Sequence, residues 1–201
     1  MGTGNSLKLA RRAFLTRVAA VIGSIALLLS PQLSNATDFD GSAFRCLTKM
    51  TPVRGFHVDN LLGDLAATLA AANAPKGAVY PPGSLVQLIP QEAMVKHDPG
   101  FNAQTKDWEF LLLDPSKDGT RIKQRGTVDI ANPFGTCFGC HVQAAPQWQL
   151  VCETDHGCPP LPITAAMLHA LQRTDPRCGN PTSAEDAEAL KQLGELLKSK
   201  K

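Results

Sequence analysis

Cys137-Phe138-Gly139-Cys140-His141 is the stretch of this 201-residue chain whose residue types and spacing can do chemistry together. Two thiols two residues apart can add across the two vinyl groups of a haem, and the imidazole that follows reaches the iron from one face. With six Cys and five His in the chain, composition alone would produce C-x-x-C-H in roughly 0.004 of such sequences. The spacing therefore predicts one covalently attached haem c, with Cys137 and Cys140 as thioether residues and His141 as the iron ligand. The same two thiols could instead begin a closed zinc site, completed by two of Cys152, His156 and Cys158.

The N-terminus points to the compartment in which such a group is attached. Lys8, Arg11, Arg12 and Arg17 form a basic start, and no acidic residue occurs before Asp38. The apolar run from Val18 to Leu29 follows, and Ser34-Asn35-Ala36 offers the small residues that a signal peptidase reads. A run of about 12 apolar residues is short for a membrane span, which needs about 20. Residues 1–36 thus read as a cleaved signal peptide and 37–201 as one domain exported to the periplasm, with no stable membrane span after cleavage. The Arg11-Arg12 pair fits the twin-arginine route as well as general secretion.

Export changes the charge balance. The chain has 20 Lys and Arg against 18 Asp and Glu, a formal charge of +2. Without residues 1–36, which hold four basic and no acidic residues, 16 stand against 18, or −2. No basic patch remains that would suggest a nucleic-acid partner. The four cysteines outside the motif form an even set in an oxidising space, so two disulfides are expected among three possible connectivities. Cys152 with Cys158, and Cys46 with Cys178, is the preferred pairing.

The elements that position the motif follow from periodicity and turn residues. Residues 37–56 read as an extended lead-in. Val58, Leu61, Leu62, Leu65 and Leu69 recur at helical spacing up to Pro75-Lys76-Gly77. Short apolar and β-branched runs punctuated by Pro and Gly predict an antiparallel sheet of about four or five strands over 78–130, with a hairpin joining Trp108–Leu113 to Thr120-Arg121-Ile122. Residues 146–162 read as an irregular loop held by a disulfide, and 163–171 as a short helix. Thr182-Ser183-Ala184-Glu185 has the pattern of a capping box for a last helix striped with Leu190, Leu193, Leu196 and Leu197. The fold class is α+β, mainly an antiparallel β-sheet with flanking helices.

Taken in order, Gly77-Ala78-Val79-Tyr80-Pro81-Pro82-Gly83, Met94-Val95-Lys96, Asp107-Trp108-Glu109-Phe110 and the C-x-x-C-H near the C-terminal end resemble the cytochrome P-460 family, which includes the c′-beta cytochromes. The likeness covers residues 76–150. It implies a mostly antiparallel β-fold, usually a homodimer, around one five-coordinate haem c with His141 as proximal ligand, and a small gaseous or nitrogen-oxide ligand or substrate. In hydroxylamine-oxidising members a lysine of the strand after the Pro-x-Gly turn bonds to the macrocycle. Here that strand is Ser84-Leu85-Val86-Gln87-Leu88-Ile89, with Leu88 at the expected position and the neighbouring Lys76 and Lys96 out of register. The cross-link, and hydroxylamine oxidation with it, is not expected.

The sixth position on the iron decides between functions: a strong second ligand makes an electron carrier, an open one a ligand-binding or catalytic centre. Met94, Met167, His57, His97, His156 and His169 are the candidates. Met167 reads as helix core, and His97 as a solvated turn residue beside Asp98-Pro99-Gly100. Phe110, Trp108, Phe134 and Phe138 are candidate haem-packing residues. Tyr80 reads as a strand-end residue, and Glu92 and Glu109 as solvated strand positions. Three functions stay open: a small-ligand haem protein, an enzyme or a binder; a low-spin electron-transfer cytochrome with a redox partner protein; and a haemless module held by zinc or disulfides.

Overall fold

The computed structural model describes residues 38–199; the signal-peptide reading of residues 1–36 lies outside them. Within this range a six-stranded antiparallel meander runs in chain order: β1 Thr51–Val53, β2 Phe56–Asn60, β3 Ser84–Gln87, β4 Glu92–Lys96, β5 Trp108–Ser116 and β6 Gly119–Gly126. Four helices accompany it: α1 Leu65–Ala72, α2 Cys137–His141, α3 Ala165–Arg173 and α4 Ala184–Lys198. The mainly antiparallel α+β class is as expected, and no helix among the described residues is long and apolar enough to cross a membrane.

The sheet begins earlier than the sequence pattern suggests. Four strands lie in the expected region, and two more, β1 and β2, occupy what reads as lead-in and helix start. Val58 belongs to β2, where Phe56, Val58 and Asn60 are buried and His57 and Asp59 are not. That period of two buries one strand face, and pairing with β3 (Val58 opposite Val86) overrides the helical spacing. The apparent stripe is thereby divided: Leu61 packs in one apolar cluster, Leu65 and Leu69 in the other, and Leu62 is 54% exposed. The helix starts only after a turn at Gly63, with the Asp64 side chain accepting the Ala67 N–H. Asn60 ties this reversal together. Its Oδ1 accepts from the Leu62 and Asp64 N–H groups, and its Nδ2 donates to Thr68 Oγ1 and the Pro82 carbonyl.

The β5–β6 hairpin is longer than expected. Asp114-Pro115 continues the strand, Pro115 pairing with Thr120, and Ser116 opposite Gly119 closes the ladder. Val79-Tyr80 and Thr127–Ile130 lie outside the strands. Helix α3 falls close to its expected place. Helix α4 is capped by Ser183, whose Oγ accepts the Asp186 N–H at 3.0 Å, one residue beyond the Thr182-led box.

The two sheet faces carry separate cores. On one, register aligns Val58, Val86, Met94 and Phe110 across β2 to β5, and α1, Tyr80, Trp108, Leu150 and Val151 pack over them. On the other, Leu85, Ala93, Val95, Leu111 and Leu113 are covered by Phe44, Leu47 and Met50. Strand β5 is buried on both faces from Trp108 to Leu111, and Glu109 is the one charged residue in that stretch. Both preferred disulfides are present. Cys46–Cys178 ties the covering N-terminal segment to the turn after α3, and Cys152–Cys158 closes a local loop.

Candidate haem-attachment site

A small hairpin delivers the motif. Strands β7 Ala131–Asn132 and β8 Gly135–Thr136 pair antiparallel, and the chain passes directly from Thr136 into α2. Thr136 caps the helix: its Oγ1 accepts the Gly139 N–H at 3.1 Å. A side chain at 139 would have its Cβ 2.6 Å from that hydroxyl, so the glycine inside the motif is what lets the cap form. The Cys137 N–H donates to the Ile130 carbonyl at 2.8 Å, and Glu92 Oε1 on β4 accepts from Asn132 Nδ2 at 2.8 Å. The first bond closes the base of the hairpin, and the second fastens it to the sheet.

Within one helical turn Cys137, Cys140 and His141 stand at i, i+3 and i+4 and share a face. Cys137 is half-buried, its thiol pushed up to about 11 by burial and by the nearby Glu92 carboxyl; Cys140 is exposed. They are the two free cysteines, because the other four are spent in disulfides. Cys152 and Cys158 are therefore not thiolate donors. His156 is also occupied, its Nδ1 bonded to the Val151 carbonyl at 2.9 Å and its ring stacked on Trp148 at 3.7 Å. The donors needed for the zinc alternative are thus not brought together.

His141 has a defined tautomer. Its Nδ1 lies 2.7 Å from the Leu150 carbonyl oxygen, which can only accept, so the proton sits on Nδ1 and Nε2 keeps its lone pair. Burial lowers the imidazole pKa, in opposition to that hydrogen bond, and favours the neutral ring that a metal requires. Phe110 packs against this ring at 5.1 Å between centroids. Leu88, Leu112, Cys137 and Phe138 border the apolar cluster that contains Met94, Trp108 and Phe110. Two free thiols on one helix face, an imidazole with an available Nε2 and an apolar bed fit a porphyrin held through Cys137, Cys140 and His141.

Several candidates stand elsewhere than the sequence suggests. His97 is 1% exposed rather than solvated, and Glu109 is 5% exposed rather than on a wet strand face. They bond to each other on the sheet face away from Met94 and Phe110, which removes His97 from the motif's side. Glu92 is half-buried and bound to Asn132; burial raises its pKa. Tyr80 is buried edge-on against Trp108, and the same burial pushes its phenol up to about 12. Phe134 sits half-exposed at the tip of the β7–β8 hairpin. Lys76 is exposed, and Lys96 is buried beside Trp108. His169 is exposed on α3, Met167 is buried in that helix, and His57 faces Gln87 across β2 and β3. Among the six second-ligand candidates only Met94 shares the apolar cluster bordered by Cys137 and Phe138.

The hydrogen-bond acceptor for His141 was not legible in the sequence, since it is a backbone carbonyl nine residues downstream. Comparison with family models, with curated proteins and with solved structures gives no match.

Proposed function

We propose that this chain is an exported mono-haem c-type cytochrome whose iron keeps one open axial position for a small ligand, such as nitric oxide or a related nitrogen or oxygen compound. The observation that carries the reading is the division of the six cysteines. Four are consumed in pairs, and the two left free are those of the C-x-x-C-H turn, beside an imidazole whose Nδ1 is already bound.

A haem with a single imidazole ligand offers its sixth position to diatomic gases and nitrogen oxides. The chain's own residues supply attachment, through Cys137 and Cys140, and orientation, through the Leu150 carbonyl. They also supply an apolar surround from Leu88, Phe110, Leu112 and Phe138 that keeps water away. An open position is favoured because His57, His97, His156, His169 and Met167 are all held or placed away from this cluster. The electron-transfer alternative rests on Met94 alone. Leu88, packed at the edge of the same cluster where the resemblance would place a lysine, supports a gas-binding rather than a hydroxylamine-oxidising centre. Two disulfides accord with a periplasmic location.

The test is production of the mature protein with a cytochrome c maturation system, followed by intact-mass measurement and optical spectroscopy. The expected result is the mass of one haem added, a five-coordinate high-spin ferrous spectrum and carbon monoxide binding, with loss of attached pigment in Cys137→Ser/Cys140→Ser. A polypeptide with no added mass overturns the haem reading. A six-coordinate low-spin spectrum in both oxidation states overturns the open position.

A further inference from the structure

The carbonyl that accepts from His141 is presented by an unfavourable piece of backbone. Gln149 has φ 54° and ψ 39°, and Leu150 follows with φ 68°. Two successive side-chain-bearing residues in the left-handed region are unfavourable, and they persist only where surrounding contacts impose them. Relaxation of this pair to ordinary φ values would swing the Leu150 carbonyl off the imidazole.

The contacts that impose it converge on Trp108. Its indole N–H donates to the Gln149 carbonyl at 2.6 Å, so of two adjacent carbonyls the indole takes the first and the imidazole the second. Leu150 and Val151 are 3% and 4% exposed and pack in the cluster that contains Trp108. Trp108 is itself 0% exposed and immobilised. Tyr80 packs edge-on at 5.3 Å, and the Lys96 ammonium lies 5.5 Å from the ring centroid while it donates to the Lys106 carbonyl. Lys106 Nζ in turn donates to the Pro146 carbonyl at 2.6 Å, at the start of the same loop. A buried indole N–H must find an acceptor, and here the only one it has is the carbonyl that sets the loop.

We propose that Trp108 is a positioning residue for the iron ligand: through its N–H bond to Gln149 it holds the Leu150 carbonyl on His141 Nδ1, and so sets how strongly Nε2 donates to the iron. A hydrogen-bonded Nδ1–H makes the other nitrogen more basic, and such outer partners of metal-binding imidazoles tune the metal. This assignment rests on the haem reading above.

The experiment uses the holoprotein and two replacements of Trp108. Trp108→Phe removes the N–H and part of the ring. Site-specific benzothienylalanine removes only the N–H and preserves the shape, so that packing is retained if the Phe variant folds poorly. In both, haem stays covalently attached, the ferrous iron–histidine stretching frequency measured by resonance Raman falls, and the midpoint potential rises. Gln149→Gly relieves the strain but keeps the carbonyl, and leaves both quantities unchanged. An unchanged frequency and potential in the benzothienylalanine protein, or the same shift with Gln149→Gly, overturns the role given to the indole. Wild-type protein without covalent haem overturns the proposed function instead, and this inference falls with it.

Discussion

His97 Nε2 lies 2.8 Å from Glu109 Oε2, with both side chains almost wholly removed from water. Arg125 completes the arrangement with Nε 2.6 Å from Oε1 and Nη2 2.8 Å from Oε2, while Phe101 and Phe39 both stack on the imidazole. Phe39 also lies under the Arg125 guanidinium at 4.7 Å. The network therefore holds Phe39 against the sheet. Glu109→Leu strands a guanidinium and an imidazole at once and is expected to cost about 3 kcal/mol. Urea unfolding measures it, and His97→Phe, which keeps the Glu109–Arg125 bonds and the aromatic stack, should cost clearly less.

Acid should unfold this protein in two stages. Burial would raise the Glu109 pKa, but the hydrogen bonds from His97 and Arg125 outweigh it and hold the carboxylate below its ordinary range. Asp175, buried and bonded to Arg177 and to the Leu47 N–H, is lowered in the same way. Stability from such groups is fully present above the unfolded carboxylate range, about pH 4 to 4.5, and is lost as pH falls through the depressed folded values. His57 acts earlier. Burial lowers its pKa, so the unfolded chain takes up the proton first and stability begins to decline below about pH 6.5. Melting temperature against pH checks this: Glu109→Gln flattens the lower step, and His57→Gln the upper.

The two disulfides should differ in worth. Cys46–Cys178 spans 132 residues, so its loss releases a long loop in the unfolded chain, about 5 kcal/mol on chain-entropy grounds. Cys152–Cys158 spans six, about 2 kcal/mol by the same argument. The paired Ala variants, compared by denaturant titration, give the order. The smaller loop nonetheless sits next to the motif, with the Ala145 N–H bonded to the His156 carbonyl at 2.8 Å.

Met94 offers the sharpest test of coordination. Met94→Leu conserves volume in the cluster and should cost under about 1.5 kcal/mol. With an open sixth position the ferrous spectrum and carbon monoxide affinity stay as in the wild type. A change from low to high spin on this substitution would instead assign the thioether to the iron.

The local signals were legible where one short stretch contains all the partners. The spacing of Cys137, Cys140 and His141 needs only one helical turn to come together. The preferred disulfides followed from proximity for Cys152–Cys158 and from elimination for Cys46–Cys178. The Val58 region misled because apolar residues at 58, 61, 62, 65 and 69 satisfy a helical period by coincidence. Only pairing with β3 shows that Val58 is in a strand. His97, beside a Pro-Gly turn, and Glu109, within a strand, misled for a related reason, since a polar residue in either place reads as wet until its partner is known.

From its residues alone the chain determined the grouping of two thiols and an imidazole in one turn, the oxidised cysteine framework and the α+β class, because thiol spacing, cysteine parity and alternating apolar runs are properties of neighbouring residues. The tertiary structure decided which groups are buried together and which carbonyl meets His141. Those depend on contacts between strands and loops far apart in the chain. The pairing of Trp108 with Gln149, 41 positions on, exists only once β5 and the loop after the motif have packed against each other.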